Sequence, residues 1–377
     1  MKVLIVGSGH GGCAMAAVLA KRGYEVGILK LGKDMHVANF DELEKRKSIR
    51  LSGIEGEGDF ALSKVSREPA EVVGWADMIL VYYVSNYHPM IAERLCPYLR
   101  DGQVVVLNPG YLGSIYFERE LESKGYDARP LFAEFETLPY SSRIIEAGSV
   151  WISSKNVRHP FAAYPARRSA EVKSILEPVI GECVPRSHLL EVALHNPNLV
   201  IHTIGVLMNV SLVEGKEKRF AMYRDGFSKS MWNLVFRLDE EKMRVLEGLG
   251  AERITYFDEF RLRTFEDCSI DPIAGFNHYA GEAPDGPFSI DHRYITEDLP
   301  MGLGLLSSLG RVMDIETPIC DSLINLADAF LPQYGFWSHL RRVESLWAGS
   351  VGGFVDVLKY GENKKEAIKG LAGAVNA

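Results

Sequence analysis

A glycine pattern at the start of the chain restricts its fold more than any other feature. Lys2-Val-Leu-Ile-Val6 is a short apolar run rich in β-branched residues, as in strands buried on both faces of a parallel sheet. It runs into Gly7-Ser-Gly-His-Gly-Gly12, then a small-residue helical stretch to Arg22, then a second apolar run at 24–29. A strand, G-x-G-x-x-G, a helix and a strand in this order predict a dinucleotide-binding unit.

Each glycine of this pattern has a distinct mechanical role. Gly7 permits the tight turn, Gly9 lets a pyrophosphate approach the backbone, and Gly12 lets the helix press on the strand. The pyrophosphate would lie on the helix N-terminus, where unpaired N–H groups and the helix dipole favour an anion. We therefore expect cofactor contacts from the whole turn: Gly7, Ser8, Gly9, His10, Gly11 and Gly12.

The end of the second strand bears on which dinucleotide binds. An NAD-binding chain usually places Asp or Glu there to hold the ribose 2′-OH. This chain has Lys30, with Lys33 nearby and no acid before Asp34. Because a lysine attracts a 2′-phosphate and a carboxylate repels it, Lys30 favours NADP. The alternative is that Lys30 is a solvated strand-end lysine and that the site also accepts NAD.

Two further apolar runs, 78–84 and 103–107, predict strands separated by a helix around residues 90–99. Polar turn-forming residues follow each run: Ser85-Asn-Tyr-His-Pro89 and Asn108-Pro-Gly-Tyr111. In an open parallel sheet such loops line the cofactor crevice, so Ser85 and Asn108 are candidate cofactor contacts. Both loops are equally compatible with ordinary surface turns.

The pattern changes near residue 185. Beyond it, apolar residues recur at helical spacing over 189–214, 228–249, 299–313 and 321–330, and strand signals thin out. We predict an α/β Rossmann domain with a doubly wound parallel sheet at 1–185, followed by an all-α domain at 186–377. The length of 377 residues agrees with two domains.

Composition excludes several classes of protein. A net charge of −8, with 42 Lys and Arg spread along the chain, makes a nucleic-acid partner improbable. Five dispersed cysteines without a C-x-x-C predict reduced thiols and no zinc cluster, as in a cytoplasmic protein. No apolar run is long and uninterrupted enough for a signal peptide or a membrane span.

A histidine in the helical half is the first catalytic candidate. His195, Asn198, His202 and Asn209 fall on one stripe of an otherwise apolar helical segment, and Gly205 leaves room beside it. A polar stripe on a buried helix must find partners or line a cleft. A satisfied core histidine is the structural alternative, but the stripe and the break at Asn196-Pro197 favour a functional His202.

A second polar cluster spans 292–300. It follows a Gly- and Pro-rich loop and contains Arg293, Tyr294, Glu297 and Asp298. Acidic residues at the start of a helix often only complement its dipole. That explanation covers Glu297 and Asp298 but leaves the adjacent Arg293 and Tyr294 unexplained.

Taken together, these motifs resemble the opine dehydrogenases, the family of octopine and nopaline dehydrogenase. The resemblance covers most of the chain and rests on Gly7-Ser-Gly-His-Gly-Gly12, Asn108-Pro-Gly110, Glu136-Thr-Leu-Pro-Tyr140 with Arg143, Asn196-Pro197 with His202 and Asn209, and Arg293-Tyr-Ile-Thr-Glu-Asp298 with Pro300 and Gly302. It implies a Rossmann domain, a helical domain and a catalytic His202–Asp298 pair. One departure is Lys30, where family members that use NAD often have an acid.

The resemblance also implies the chemistry. An amino acid and a pyruvate-like 2-oxo acid condense to an imine, which NAD(P)H reduces. His202 and Asp298 would be catalytic, and Arg293, Arg143 and Asn198 would bind substrate; Arg143 is equally compatible with a structural tie between domains. No membrane partner is expected, and a homodimer is compatible with the pattern.

Two alternatives stay open. One is a ketopantoate reductase, hydroxyacid dehydrogenase or glycerol-3-phosphate dehydrogenase type, which often relies on a lysine acid. The other is a catalytically silent dinucleotide-binding sensor.

Overall fold

The computed structural model describes residues 1–33, 35–216, 219–283 and 285–361. Two compact units divide the chain, Met1–Leu189 and Leu190–Ala377. Within the described ranges, no helix combines the length and the apolar character that crossing a bilayer requires.

An eight-stranded sheet organises the first unit. Its spatial order is β12-β11-β8-β7-β6-β1-β2-β5, and β11 meets β8 antiparallel while every other neighbouring pair is parallel. The strands are β1 Lys2–Val6, β2 Glu25–Leu29, β5 Lys64–Ser66, β6 Met78–Val81, β7 Val104–Leu107, β8 Leu131–Phe135, β11 Arg158–Tyr164 and β12 Glu182–Pro185. Strands β1, β6 and β7 pack apolar side chains on both faces, as a parallel sheet covered by helices requires.

A smaller sheet of four strands accompanies the larger one in the order β4-β3-β10-β9. Its strands are β3 Ser48–Gly53, β4 Gly58–Ala61, β9 Tyr140–Glu146 and β10 Ser149–Lys155. Strand β3 pairs in parallel with β10, nearly 100 positions later in the chain. The sequence pattern does not indicate this sheet, because its strands are half-exposed and lack continuous apolar runs.

Six α-helices belong to the described part of the first unit. They are α1 His10–Lys21, α2 Val37–Arg46, α3 Pro69–Val72, α4 His88–Leu95, α5 Gly113–Lys124 and α6 Ser169–Ile180, with 3₁₀ turns at Ser85–Tyr87, Cys96–Tyr98 and Ala166–Arg168. Helix α1 is nearly all small or apolar residues, and its side chains join those of β1 and β2 in one buried core. That burial fixes the glycine turn at its N-terminus.

The second unit is helical. Its helices are α7 Leu189–His195, α8 Asn198–Leu207, α9 Val210–Val213, α10 Met222–Asp225, α11 Lys229–Gly248, α12 Tyr256–Thr264, α13 Pro272–Glu282, α14 Arg293–Thr296, α15 Gly304–Val312, α16 Pro318–Phe330, α17 Phe336–His339, α18 Val343–Leu346 and α19 Val351–Tyr360, with a 3₁₀ turn at Pro332–Tyr334. A π-helical turn, Leu299–Leu303, leads into α15.

The predicted fold class is confirmed, with two refinements. One antiparallel junction interrupts the parallel sheet, and the segment predicted as helical over 189–214 is three helices, α7, α8 and α9, because Pro197 and Asn209 interrupt it. The division into domains at 1–185 and 186–377 stays a prediction.

Candidate active site

The glycine turn has the geometry that its sequence predicts. Gly7 has φ of +121°, a backbone conformation that side chains disfavour. A Cβ atom added to Gly12 would lie 2.1 Å from the Gly7 carbonyl oxygen, so α1 packs directly on the turn. At Gly9 the nearest obstacle to a Cβ is the His36 ring at 3.5 Å, which leaves this backbone accessible.

The loop that follows β2 folds over this turn. The Tyr83 hydroxyl accepts hydrogen bonds from the backbone N–H groups of Leu31 at 2.9 Å and Gly32 at 3.0 Å. The buried Lys30 ammonium donates to the Met35 carbonyl, and burial together with Lys30 lowers the pKa of His36. The charge of Lys30 therefore acts on the His36 ring, which lies beside Gly9. Asp34 lies outside the described residues.

His10 is fixed at the N-terminus of α1. Its Nδ1 accepts a hydrogen bond from the Ile144 N–H at 2.9 Å, and its ring meets that of His36 edge-on at 5.1 Å between centroids. The first turn of α1 carries no acidic residue, so its dipole is left to attract an anion.

The ends of β6 and β7 carry the other predicted cofactor contacts. Ser85 and Asn108 are both buried, and within the described ranges neither polar atom of the Asn108 side chain has a hydrogen-bond partner. Buried amides are rarely left without partners, so this amide suits a polar ligand. By contrast, the Glu134 carboxylate accepts from the N–H groups of Leu112 and Ser114 at the start of α5, at 2.8 and 2.7 Å.

Three features fit a dinucleotide bound at the N-terminus of α1. They are the accessible backbone of Gly9, the charge of Lys30 and the Asn108 amide, which has no hydrogen-bond partner among the described residues.

The second unit brings His202 and Asp298 together. His202 lies on α8 and Asp298 directly precedes the π-helical turn, 96 positions later. His202 Nδ1 is 2.8 Å from Asp298 Oδ2, and the two residues are 2% and 0% exposed.

Two tyrosines complete the surroundings of the His202 ring. The Tyr223 hydroxyl, on α10, lies 2.7 Å from His202 Nε2. The Tyr294 ring, on α14, stacks on the imidazole with 3.5 Å between centroids and 15° between planes. Gly205 admits α10, because a Cβ there would lie 2.7 Å from the sulfur of Met222.

Burial sets the charge of His202. Desolvation and the nearby Arg293 lower its pKa well below the ordinary value, and Glu297 opposes them. The ring is therefore neutral at pH 7. Because a carboxylate only accepts hydrogen bonds, the proton lies on Nδ1 and Nε2 accepts from Tyr223.

Arg293 lies on α14, next to this pair. Its Nη1 is 3.1 Å from Glu297 Oε2, and its side chain is 39% exposed while that of Glu297 is 1% exposed. Burial acts to lower the pKa of Arg293. The carboxylates of Glu297 and Asp298 outweigh this effect, so the pKa is raised above its ordinary value. A guanidinium has five N–H donors, so this ion pair still leaves donors for a substrate carboxylate.

The remaining candidates are dispersed. Asn198 begins α8 one turn before His202, and its N–H donates to Asn196 Oδ1 at 3.0 Å. Arg143 lies on β9 in the first unit, where Nη1 donates to the Ser142 carbonyl at 2.9 Å.

The predicted stripe does not lie on one helix. His195 ends α7 and contacts the Glu252 carbonyl, and Asn209 follows α8, where it donates to the carbonyls of Gly205 and Gly226. Only Asn198 and His202 share α8.

The sequence pattern does not indicate Tyr223 as a partner of His202, and it assigns no role to Tyr294. Tyr223 lies on a four-residue helix with no periodic pattern. The one signal for it was Gly205, whose missing side chain predicted a close approach.

Comparisons with known proteins agree with this architecture. Residues 185–331 match the family described as NAD/NADP octopine/nopaline dehydrogenase, alpha-helical domain. The opine dehydrogenase of Arthrobacter sp. (strain 1C) is 25% identical over 329 residues, covering 87% of this chain and 90% of that protein.

Solved structures show the same fold. An octopine dehydrogenase in complex with NADH and L-arginine aligns with a TM-score of 0.72 and 17% identity over 96% of this chain and 98% of that one. An NADP⁺-bound yersinopine dehydrogenase aligns with a TM-score of 0.65 and 13% identity over 99% of both chains.

The family match and the curated relatives indicate an NAD(P)-dependent oxidoreductase of the class that acts on the CH–NH group of donors. The chain is similar to the opine dehydrogenases over most of its length.

Proposed function

We propose that this chain joins an amino acid to a pyruvate-like 2-oxo acid by reductive condensation through an imine. The observation that carries the proposal is the buried His202–Asp298 pair, 2.8 Å apart, within the segment that matches the helical domain of the family. The relatives are named as opine dehydrogenases, and the octopine dehydrogenase structure holds L-arginine.

His202 is the base and acid of this proposal. An amino acid arrives as an ammonium, which must lose a proton before its nitrogen attacks a carbonyl carbon. The neutral imidazole takes that proton, and the Asp298 carboxylate stabilises the resulting imidazolium. The same proton then goes to the hydroxyl that leaves the carbinolamine as water, so the ring returns to its starting state. Such acid–base work contributes about 10²–10⁴-fold to a rate.

Substrate carboxylates require fixed cations. Arg293 is the first candidate, because it neighbours His202 and its planar fork suits bidentate binding. Asn198, on the helix of His202, supplies an amide for a polar group of the substrate, and Arg143 is a second candidate cation.

The Arg293→Lys variant tests the carboxylate role. A lysine keeps the charge and loses the fork, so the KM for the 2-oxo acid should rise about tenfold while kcat changes less. A matched Arg311→Lys change, on α15, should leave that KM unaltered. An unchanged KM in Arg293→Lys would assign the carboxylate to another cation.

The dinucleotide belongs to the first unit in this proposal. Gly7, Ser8, Gly9, His10, Gly11 and Gly12 would hold the pyrophosphate, Lys30 a 2′-phosphate, and Ser85 and Asn108 the nicotinamide side. When bound, NAD(P)H supplies the hydride that reduces the imine carbon. We propose NADP as the preferred form on the position of Lys30 beside the glycine turn.

A substrate panel tests the whole proposal. Enzyme, NADPH or NADH, pyruvate and each amino acid should consume nicotinamide absorbance only when the amine and the oxo acid are both present, and mass spectrometry should find the N-(1-carboxyethyl) amino acid. Consumption with ketopantoate or another oxo acid alone would favour the reductases and dehydrogenases that rely on a lysine. No consumption with any pair, alongside dinucleotide binding, would favour a silent binding protein.

Homodimer formation and a cytoplasmic location stay predictions, which sedimentation velocity and fractionation would test.

A further inference from the structure

We propose that Tyr223 is a catalytic residue whose hydroxyl, rather than the His202 ring, exchanges the proton with the substrate. The inference rests on the proposed reductive condensation and adds a third member to the His202–Asp298 pair.

The geometry around His202 leads to this conclusion. Asp298 hydrogen-bonds to Nδ1 at 2.8 Å and the Tyr223 hydroxyl to Nε2 at 2.7 Å, so both nitrogens of the ring have partners. Tyr294 covers one face of the ring at 3.5 Å, and His202 is 2% exposed. Tyr223 is only partly buried. Because the Tyr223 hydroxyl occupies the position from which a substrate would hydrogen-bond to Nε2, the proton passes through this hydroxyl.

Packing holds the hydroxyl in this place. The Tyr223 ring meets Tyr279 edge-on at 5.3 Å and lies 6.3 Å from Phe276, both on α13. The preceding residue, Met222, fills the space that Gly205 leaves on α8. The tyrosine ring is thus oriented by two aromatic neighbours and not only by its bond to His202, which is the pre-organisation that catalysis requires.

The proton steps balance along this chain of groups. As the substrate ammonium gives a proton to the Tyr223 oxygen, the tyrosine passes its own proton to His202 Nε2. The amine then attacks the carbonyl carbon. When the carbinolamine loses hydroxide as water, the imidazolium returns its proton to the tyrosine oxygen, and the tyrosine gives its proton to the leaving oxygen. One proton enters and one leaves, and Tyr223 is neutral before and after.

Surroundings explain why the phenol keeps its proton between steps. Burial, followed by the neighbouring Tyr279 and Tyr294, raises the pKa of Tyr223 well above its ordinary value. A free phenolate is therefore unfavourable, and the two transfers occur together.

The first test compares Tyr223→Phe with Tyr256→Phe. Both remove one hydroxyl from the same aromatic cluster, but Tyr256 packs against Phe257 and Phe260 instead of His202. In Tyr223→Phe we expect kcat to fall about 100-fold or more, with dinucleotide affinity and melting temperature close to those of the wild type. In Tyr256→Phe we expect kcat within about threefold of the wild type. A kcat in Tyr223→Phe within tenfold of the wild type overturns the proposal.

The second test keeps the tyrosine ring and its hydroxyl in place, so it decides the question even if Tyr223→Phe fails to fold. Replacement of Tyr223 by 3,5-difluorotyrosine lowers the pKa of the phenol with little change in shape. Because the donor must be protonated, the alkaline limb of the kcat–pH profile should move to lower pH. The same replacement at Tyr256 is the control. If the alkaline limb does not move when Tyr223 is replaced by difluorotyrosine, the phenol takes no part in proton transfer, and the proposal is overturned.

Failure of this inference and failure of the proposed function give different results. If the wild type turns over amino acid and oxo acid, and His202→Ala abolishes that turnover while Tyr223→Phe keeps it, only the tyrosine step is wrong. If the wild type turns over no such pair, the proposed function itself fails.

Discussion

The two candidate sites of this protein are built in opposite ways. The glycine turn is contiguous, because the residues from Gly7 to Gly12 follow one another, and Gly7 and Gly12 are required there by a positive φ and by close backbone packing. The site around His202 is assembled from α8, α10, α14 and the residue before the π-helical turn, and His202 and Asp298 are 96 positions apart. Close backbone packing shapes the glycine turn, whereas hydrogen bonds between side chains hold the site around His202 together.

This difference determines how each site fails. Adding one methyl group at Gly12 puts it in conflict with the Gly7 carbonyl oxygen, so the fold is affected together with binding. Removing one side chain around His202 leaves the apolar packing of α8 in place, so chemistry is lost while the fold persists. Substitutions that separate stability, binding and turnover therefore distinguish the two sites.

The largest expected effect is that of His202→Ala. Turnover should fall about 10³-fold or more, within or above the range for acid–base catalysis, because neither Asp298 nor Tyr223 can replace the imidazole. Dinucleotide affinity, measured by nicotinamide fluorescence, should be unchanged. His195→Ala is the matched control, since His195 lies on α7 instead of α8 and contacts the Glu252 carbonyl. Retained turnover in His202→Ala would move the acid–base step elsewhere.

Gly12→Ala and Gly9→Ala sharpen the comparison within the turn itself. A Cβ at Gly12 would lie 2.1 Å from a backbone oxygen, so unfolding by denaturant should show a loss of about 3 kcal/mol or more. At Gly9 the nearest atoms are 3.5 Å away, so stability should change by less than about 0.5 kcal/mol.

The Gly9→Ala variant should nonetheless bind the dinucleotide about tenfold more weakly, because the methyl group lies where the pyrophosphate approaches. Equal binding by Gly9→Ala and the wild type would contradict the proposed position of the pyrophosphate.

A buried histidine of the first unit predicts acid sensitivity of the fold. Burial, followed by Arg22, lowers the pKa of His159 to about 4. The unfolded chain protonates this residue near pH 6.5 and the folded chain only near 4, so stability is lost as the pH falls between these values. Over this pH window the free energy of unfolding falls by about 3 kcal/mol.

Denaturant titrations at several pH values measure this effect. His159→Gln should flatten the pH dependence of the unfolding free energy in this window and leave the kcat–pH profile unchanged. An equally steep dependence in His159→Gln would assign the sensitivity to other groups.

The smallest of these effects concerns the choice of cofactor. Lys30→Asp should lower the ratio of kcat/KM for NADPH to that for NADH about tenfold, because a carboxylate repels a 2′-phosphate. Lys33→Asp, at an exposed position of the same loop, should change the ratio less. An unchanged ratio in Lys30→Asp would remove Lys30 from the cofactor site.

What the sequence predicts well is what lies within one short segment. The apolar runs at β1, β2, β6 and β7 predict their strands within a few residues, since each is buried on both faces. The pairing of β3 with β10 joins distant half-exposed segments, and periodicity carries no such information. For the same reason His202 was a candidate from its own helix, but the hydroxyl of Tyr223 required the fold.

The π-helical turn at Leu299–Leu303 has a consequence for the ancestry of this site. A π turn holds one more residue than an α turn, so deleting a single residue here would restore an ordinary helix and leave the flanking residues at the same angles around the axis. Deleting one residue from α15 instead would rotate Asp298 by about 100° relative to the rest of that helix and point it away from His202, although composition, hydrophobicity and helix content would hardly change. A relative is therefore expected to tolerate a one-residue deletion in the π turn, whereas the same deletion in α15 is expected to extinguish the chemistry while sparing the architecture.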